Sequence, residues 1–132
     1  DEFEKINPAL SAGKVVISDR YTDATLAYQG FGRAIDVETL KKLNTIATGS
    51  TVPDLTILLD MDVREGLKRA VKKGRDRLEL ERVKFHKLVQ AGYRKIMREN
   101  PERFYYIKVN KRINEIQEEI RKVVMQRIED VS

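Results

Sequence analysis

Three short apolar runs rich in β-branched and aromatic residues punctuate the chain: KVVISD at Lys14–Asp19, LTILLD at Leu55–Asp60 and FYYIKV at Phe104–Val109. Each has the length and composition of a buried strand. Between them the apolar positions change to helical spacing. Val37, Leu40, Leu43 and Ala47 form one stripe, started by Asp36 and stopped by Gly49. A shorter helix is predicted from Asp62, with Glu65 three residues on as its capping partner, to about Gly74. A longer one runs from about Leu78 to Asn100, with Phe85, Leu88, Val89, Gly92, Tyr93 and Ile96 on one face and Pro101 to end it. The last helix uses Ile113, Ile116, Ile120, Val123, Val124 and Ile128. Strands alternating with helices predict crossover units, a mostly parallel sheet and hence an α/β fold. Such sheets are normally covered on both faces around a buried central strand, so three strands are few and the pattern predicts that a central one is missing.

Composition narrows the partners more than the fold. The chain has 132 residues, of which 41% are hydrophobic, enough for one domain spanning 1–132 with a single core. A net charge of +5 favours anionic partners, phosphates of any kind among them. No cysteine is present, which excludes a disulfide framework and a thiolate metal site and permits a cytoplasmic location. No apolar run approaches the ~18 residues of a membrane span, and no leader resembles a signal peptide, so neither a membrane nor secretion is expected. The chain opens on Asp1 rather than Met, which suggests a processed or cut polypeptide.

The residues with chemical potential fall in two clusters. In open parallel sheets ligands bind beyond the carboxyl ends of strands, which places Asp19 and Arg20 at the rim of a crevice. Arg20 offers a planar fork for a phosphate, and Asp19 could hold that fork or a hydrated magnesium ion; an ordinary ion pair closing a strand end is the competing reading. Tyr21, Thr25 and Tyr28 follow at spacings of four and three, so a helix starting just after the strand turns all three to one side. With Gln29 they form a face of hydroxyls, rings and an amide suited to a nucleoside monophosphate, although tyrosines packed in a core would show the same spacing. The second cluster, LKRAVKKGRDR at Leu67–Arg77, carries six cations and one acid. It fits a basic flap closing over a transferring phosphoryl group, or else a solvated surface. His86, beside an apolar helix face with no second His or Cys, reads as structural. Tyr105 and Tyr106 point to opposite faces of a strand and carry no nucleic-acid motif, so no specific nucleic acid is expected.

The segments ISDRYTDATLAYQGFGR, PDLTILLDMDVREGLKRA, DRLELE, FHKLVQAGYRKI and NPERFYYIKV together resemble the thymidylate kinases, in the same order and spacing and over nearly the whole chain. The resemblance implies a phosphate-loop nucleoside monophosphate kinase fold that transfers the γ-phosphoryl group of ATP to thymidine monophosphate with Mg2+, in a protein that forms dimers. Carried over residue by residue, it implies that Arg20 grips the acceptor phosphate and Asp19 lies near magnesium and the phosphates. Tyr21 belongs to the same site, Thr25 or Gln29 bonds the thymine edge, and Tyr28 lies along the sugar. Arg69 would lie near the adenine, with Lys73, Arg75 and Arg77 in the lid. Many bacterial members have an arginine where this chain has Lys73, which lacks the bidentate fork, so the lid cation that meets the transferring phosphate stays open.

Nothing like G-x-x-x-x-G-K-[ST] occurs in residues 1–132, although the family places that loop before the part seen here. The resemblance therefore implies a C-terminal portion lacking the first, central strand, with DEFEKINPALSAGK as the helix leading into the third. It further implies that this chain alone is inactive, and that the strands at Val15 and Leu55 pair directly, accept a strand from another chain or are completed in a homodimer. A related nucleoside monophosphate or deoxynucleoside kinase, and a non-catalytic anion-binding or assembly fragment, remain the alternatives.

Overall fold

The computed structural model describes the backbone of residues 2–70 and 77–131 and the side chains of residues 4–67 and 80–131. In chain order the elements are α1 (Glu2–Ser11), α2 (Thr22–Thr25) running directly into a π-helical segment (Leu26–Gly32), α3 (Val37–Thr48), β1 (Thr56–Asp60), α4 (Val63–Ala70), α5 (Arg77–Glu99), β2 (Phe104–Lys108) and α6 (Ile113–Val131). Among the described residues no helix is long and apolar enough to cross a membrane.

The helix boundaries follow local chemistry. At α3 the Asp36 carboxylate accepts from the Thr39 amide at 3.1 Å and from its hydroxyl at 2.6 Å, and Gly49 closes the helix in the left-handed region at φ 62°. Those hydrogen bonds to Thr39 hold the Asp36 carboxyl below its ordinary value. Asp62 receives the Glu65 amide at 3.1 Å and starts α4 in the same way. The predicted stop at Gly74 lies outside the described residues.

β1 and β2 pair in parallel, Thr56 opposite Phe104 through Asp60 opposite Lys108. The two helices between them supply the long connection that parallel neighbours require. The run Lys14–Asp19 departs from expectation. Residues 14–18 form no ladder, and Val15 and Ile17 are exposed at 64% and 88%. A strand exists only through hydrogen bonds to a neighbour, and the sheet of the described residues contains β1 and β2 alone. Direct pairing of this run with the strand at Leu55 is therefore corrected: β1 takes β2 as its partner.

The core lies where the π-helical segment, α3 and α5 meet. Leu26, Ala27, Leu40, Val89 and Ile96 are buried together, and Tyr28, Phe31, Val37, Phe85, Tyr93 and Phe104 pack around them. The inward stripe of α3 is Val37, Leu40, Asn44 and Thr48, with Leu40 and Thr48 buried and the other two half-buried, rather than the expected one, since Leu43 and Ala47 are exposed. Leu88 and Ile113 likewise face outward. Periodicity selects an apolar face, but burial requires an element opposite it.

Candidate acceptor cleft

An open cleft of about 370 Å³ is lined by Arg20, Tyr21, Thr22, Ala24, Thr25, Tyr28, Gln29 and Asn44. Residues 14–18 lead to Arg20, whose carbonyl accepts the Ser18 hydroxyl. One turn of α-helix then passes into π-helical winding, in which the Arg33 amide reaches back five residues to the Tyr28 carbonyl at 3.0 Å. Thr25 lies three residues from Tyr28 and four from Gln29, so the winding still presents all three to the same space. The five acceptor-side residues expected from sequence thus come together.

Arg20 and Tyr28 hold one another. The guanidinium carbon stands 4.9 Å from the ring centroid, and Nη2 donates to the Tyr28 hydroxyl at 3.2 Å. The remaining donors of the exposed fork can meet an anion. Behind Tyr28, the rings of Phe85, His86 and Tyr93 lie at 6.1, 6.4 and 6.3 Å, the last two edge-on. His86 is therefore part of the ring stack supporting Tyr28, in keeping with its structural reading. Burial, with the neighbouring Tyr28 phenol adding to it, pushes the Tyr93 hydroxyl up to about 12 and keeps it neutral.

The wall of the cleft is tied down from several directions. The Tyr21 hydroxyl donates to the Thr51 carbonyl at 3.2 Å, and the Asn44 amide donates to the Thr22 carbonyl at 3.3 Å. Asn44 was not among the expected site residues, although an amide within the stripe Val37, Leu40 and Thr48 marks a polar task on a buried face. Beneath the cleft Arg103 grips Asp23 with two hydrogen bonds, 2.7 and 3.0 Å.

A second polar node, also unforeseen, sits at the carboxyl end of β1. Asp60 is 5% exposed and accepts from Tyr106 Oη at 2.6 Å, Gln90 Nε2 at 2.7 Å and Arg94 Nη2 and Nε at 2.7 and 3.0 Å. Burial raises its carboxyl, but the bonds from Tyr106, Arg94 and Gln90 outweigh that and hold it below its ordinary value. An acid ending a strand, as Asp19 ends its run, was the available signal; its partners lie 30 to 46 residues away.

Asp19 is exposed beside the cleft and does not line it. Lys73 and Arg75 lie outside the described residues. Arg69 falls within α4 and Arg77 opens α5, and their side chains are likewise outside those described. The five residues expected on the acceptor side therefore share one cleft, and the expected donor-side cations lie outside the described side chains.

A family model described as thymidylate kinase matches residues 2–120. Among curated relatives, the thymidylate kinase of Desulfovibrio desulfuricans is 52% identical over 112 residues, covering 79% of this chain and 52% of that protein. That of Solidesulfovibrio magneticus is 48% identical, covering 79% and 54%. That of Geotalea uraniireducens is 44% identical over 132 residues, covering 95% and 62%. The chain thus spans about half to three-fifths of the length of the curated relatives it matches.

Proposed function

This chain belongs to the thymidylate kinase family, and from that premise we propose that its cleft is the acceptor site for thymidine monophosphate in phosphoryl transfer from ATP. The observation that carries this reading is the convergence of Arg20, Tyr21, Thr25, Tyr28 and Gln29 on one cleft. Arg20 binds the acceptor phosphate through its free donors. Tyr28, stacked under Arg20 and backed by three rings, lies along the deoxyribose, and Thr25 or Gln29 meets the thymine edge. In the transfer an acceptor phosphate oxygen bonds to the γ-phosphorus as its bond to the β–γ bridging oxygen breaks, and the nucleoside diphosphate leaves. Arg69 and the cations Lys73, Arg75 and Arg77 belong to the donor side of this reading.

Mg2+ neutralises charge on the donor phosphates when bound. It keeps much of its water and needs only one or two carboxylates besides phosphate oxygens, a demand the exposed carboxylate of Asp19 next to Arg20 fits. A site in the cytoplasm, where monophosphates and ATP meet, belongs to the same reading.

Titration of the chain with thymidine, uridine and cytidine monophosphates tests the cleft. Thymidine monophosphate binds tightest, and Arg20→Ala weakens it by about 1.5–3 kcal/mol, roughly 10- to 150-fold, the scale of a charged hydrogen bond. Equal affinity for all three bases, or unchanged affinity in folded Arg20→Ala, removes the assignment. The net charge of +5 favours one other reading, nonspecific anion binding; that predicts affinity that collapses with salt and ignores the base.

Homodimerisation is part of the proposal, since Leu43 and Ile46 on α3 are 56% and 79% exposed and give a second copy an apolar strip to cover. A native mass of about twice 15.3 kDa is expected. Completion by a further segment instead gives a complex of unequal parts, lighter than twice 15.3 kDa, and a monomer at micromolar concentration removes the dimer.

A further inference from the structure

We propose that Asp23 and Arg103 are positioning residues for the acceptor cleft, a role that rests on the reading of that cleft given above. α2 is a single turn that continues into the π-helical segment, and its first turn has no side-chain cap from Tyr21. Its free-standing start is therefore held by that continuation on one side and by tertiary contacts on the other. Asp23 lies between Thr22 and Ala24, both of which line the cleft, while its own side chain turns inward and is 10% exposed. There Arg103 meets it fork to fork, Nη1 to Oδ2 at 2.7 Å and Nη2 to Oδ1 at 3.0 Å, across 80 residues of sequence.

Arg103 is itself anchored to the sheet. Its Nη1 also donates to Thr56 Oγ1 at 3.0 Å, and its carbonyl accepts the Thr56 amide at 2.7 Å. Its guanidinium carbon lies 4.7 Å from the ring centroid of Phe104, which packs against the core. The Arg103 side chain is 12% exposed, so the pair is largely withdrawn from water and bidentate. A planar two-point contact fixes direction as well as distance, so the start of β1 and the approach to β2 set the angle of α2. Thr22, Thr25 and the flanking Arg20 take their places from it. Two further ties of the wall, Asn44 to the Thr22 carbonyl and Tyr21 to the Thr51 carbonyl, are hydrogen bonds between neutral groups.

The test uses Asp23→Asn, which keeps the shape and removes the charge, and Arg103→Lys, which keeps the charge and removes the fork. Hydrogen exchange without nucleotide is measured first. Amides of residues 22–29 are expected to exchange at least tenfold faster in both variants, while those of 113–131 keep wild-type protection. Unchanged protection at 22–29, or a uniform rise over the whole chain, overturns the proposal, the latter because it marks a purely structural pair. Thymidine monophosphate titration follows on the folded variants. Affinity is expected to fall at least tenfold and the preference over uridine monophosphate to narrow, with Arg103→Lys less affected than Asp23→Asn. Affinity and preference within twofold of wild type overturn the positioning role. A wild-type chain that binds no monophosphate sinks the acceptor reading instead, and the exchange measurement then decides the pair's part in ordering the wall. Should Asp23→Asn fail to fold, Arg103→Lys carries both measurements.

Discussion

Asp60→Ala is expected to lower the unfolding free energy by about 3 kcal/mol, from the loss of charged hydrogen bonds worth about 1.5–3 kcal/mol each. The full sum of those bonds is not lost, because Arg94 is 45% exposed and Tyr106 41%, and both can turn to water once the carboxylate is gone. Gln90, which also donates to the Met61 carbonyl at 2.9 Å, keeps one partner. The pH dependence separates the charge from the packing. Burial raises the Asp60 carboxyl, but its three donors hold it below the ordinary 3.8. A lowered folded-state value means that the unfolded chain takes up the proton first as pH falls. The stabilisation is therefore fully present above about pH 4 and lost as pH drops through the folded-state value. Denaturant unfolding at pH 7 should show a wide gap between wild type and Asp60→Asn, and the gap should shrink by pH 3. A gap of equal size at both pH values would show that the ionised carboxylate contributes nothing.

Gly92→Val is the second large effect, at about 3 kcal/mol. A carbon added at Gly92 would stand 2.7 Å from Cβ, Cγ and Cδ2 of Phe31, and Cβ is tied to the backbone, so rotating the ring cannot relieve the overlap. Overpacking of this kind costs about 1–3 kcal/mol. Gly92→Ala should cost less, about 1–2 kcal/mol, because alanine in a helix recovers up to about 1 kcal/mol over glycine. The consequence reaches the cleft, since Phe31 lies in the π-helical segment with Tyr28 and Gln29. The approach is reciprocal: a carbon on Gly32 would stand 2.6 Å from Phe85 Cε2. Denaturant midpoints check the stability, and a Gly92→Val loss that falls by at least half when measured in a Phe31→Gly background, which lacks the Cβ as well as the ring, ties it to this contact. An unaltered midpoint in Gly92→Val would show that α5 and the segment can part at little cost.

The proposed acceptor cleft was legible in the sequence to an unusual degree because its residues lie within a span of ten. Arg20, Tyr21, Thr25, Tyr28 and Gln29 needed only one helical path to converge, and the change from α to π winding at Leu26 left their common side intact. The caps at Asp36 and Asp62 and the stop at Gly49 were readable for the same reason: each bond closes within three or four residues. The apolar stripes were less informative. Leu43, Leu88 and Ile113 satisfy the helical period yet face outward, since a period says which side is apolar and not whether another element lies against it.

What the sequence determined by itself was therefore local: the helices, the two strands that pair, the family, and the grouping of the cleft residues between Arg20 and Gln29. Tertiary structure alone decided that Lys14–Asp19 forms no strand, that α3 turns Asn44 rather than Leu43 inward, and that Asp23 meets Arg103 while Asp60 meets Arg94, Gln90 and Tyr106. A ladder or a buried ion pair exists only where two distant segments meet. No spacing along one segment encodes its partner, whereas caps, turns and helix faces are closed by neighbours a few bonds away.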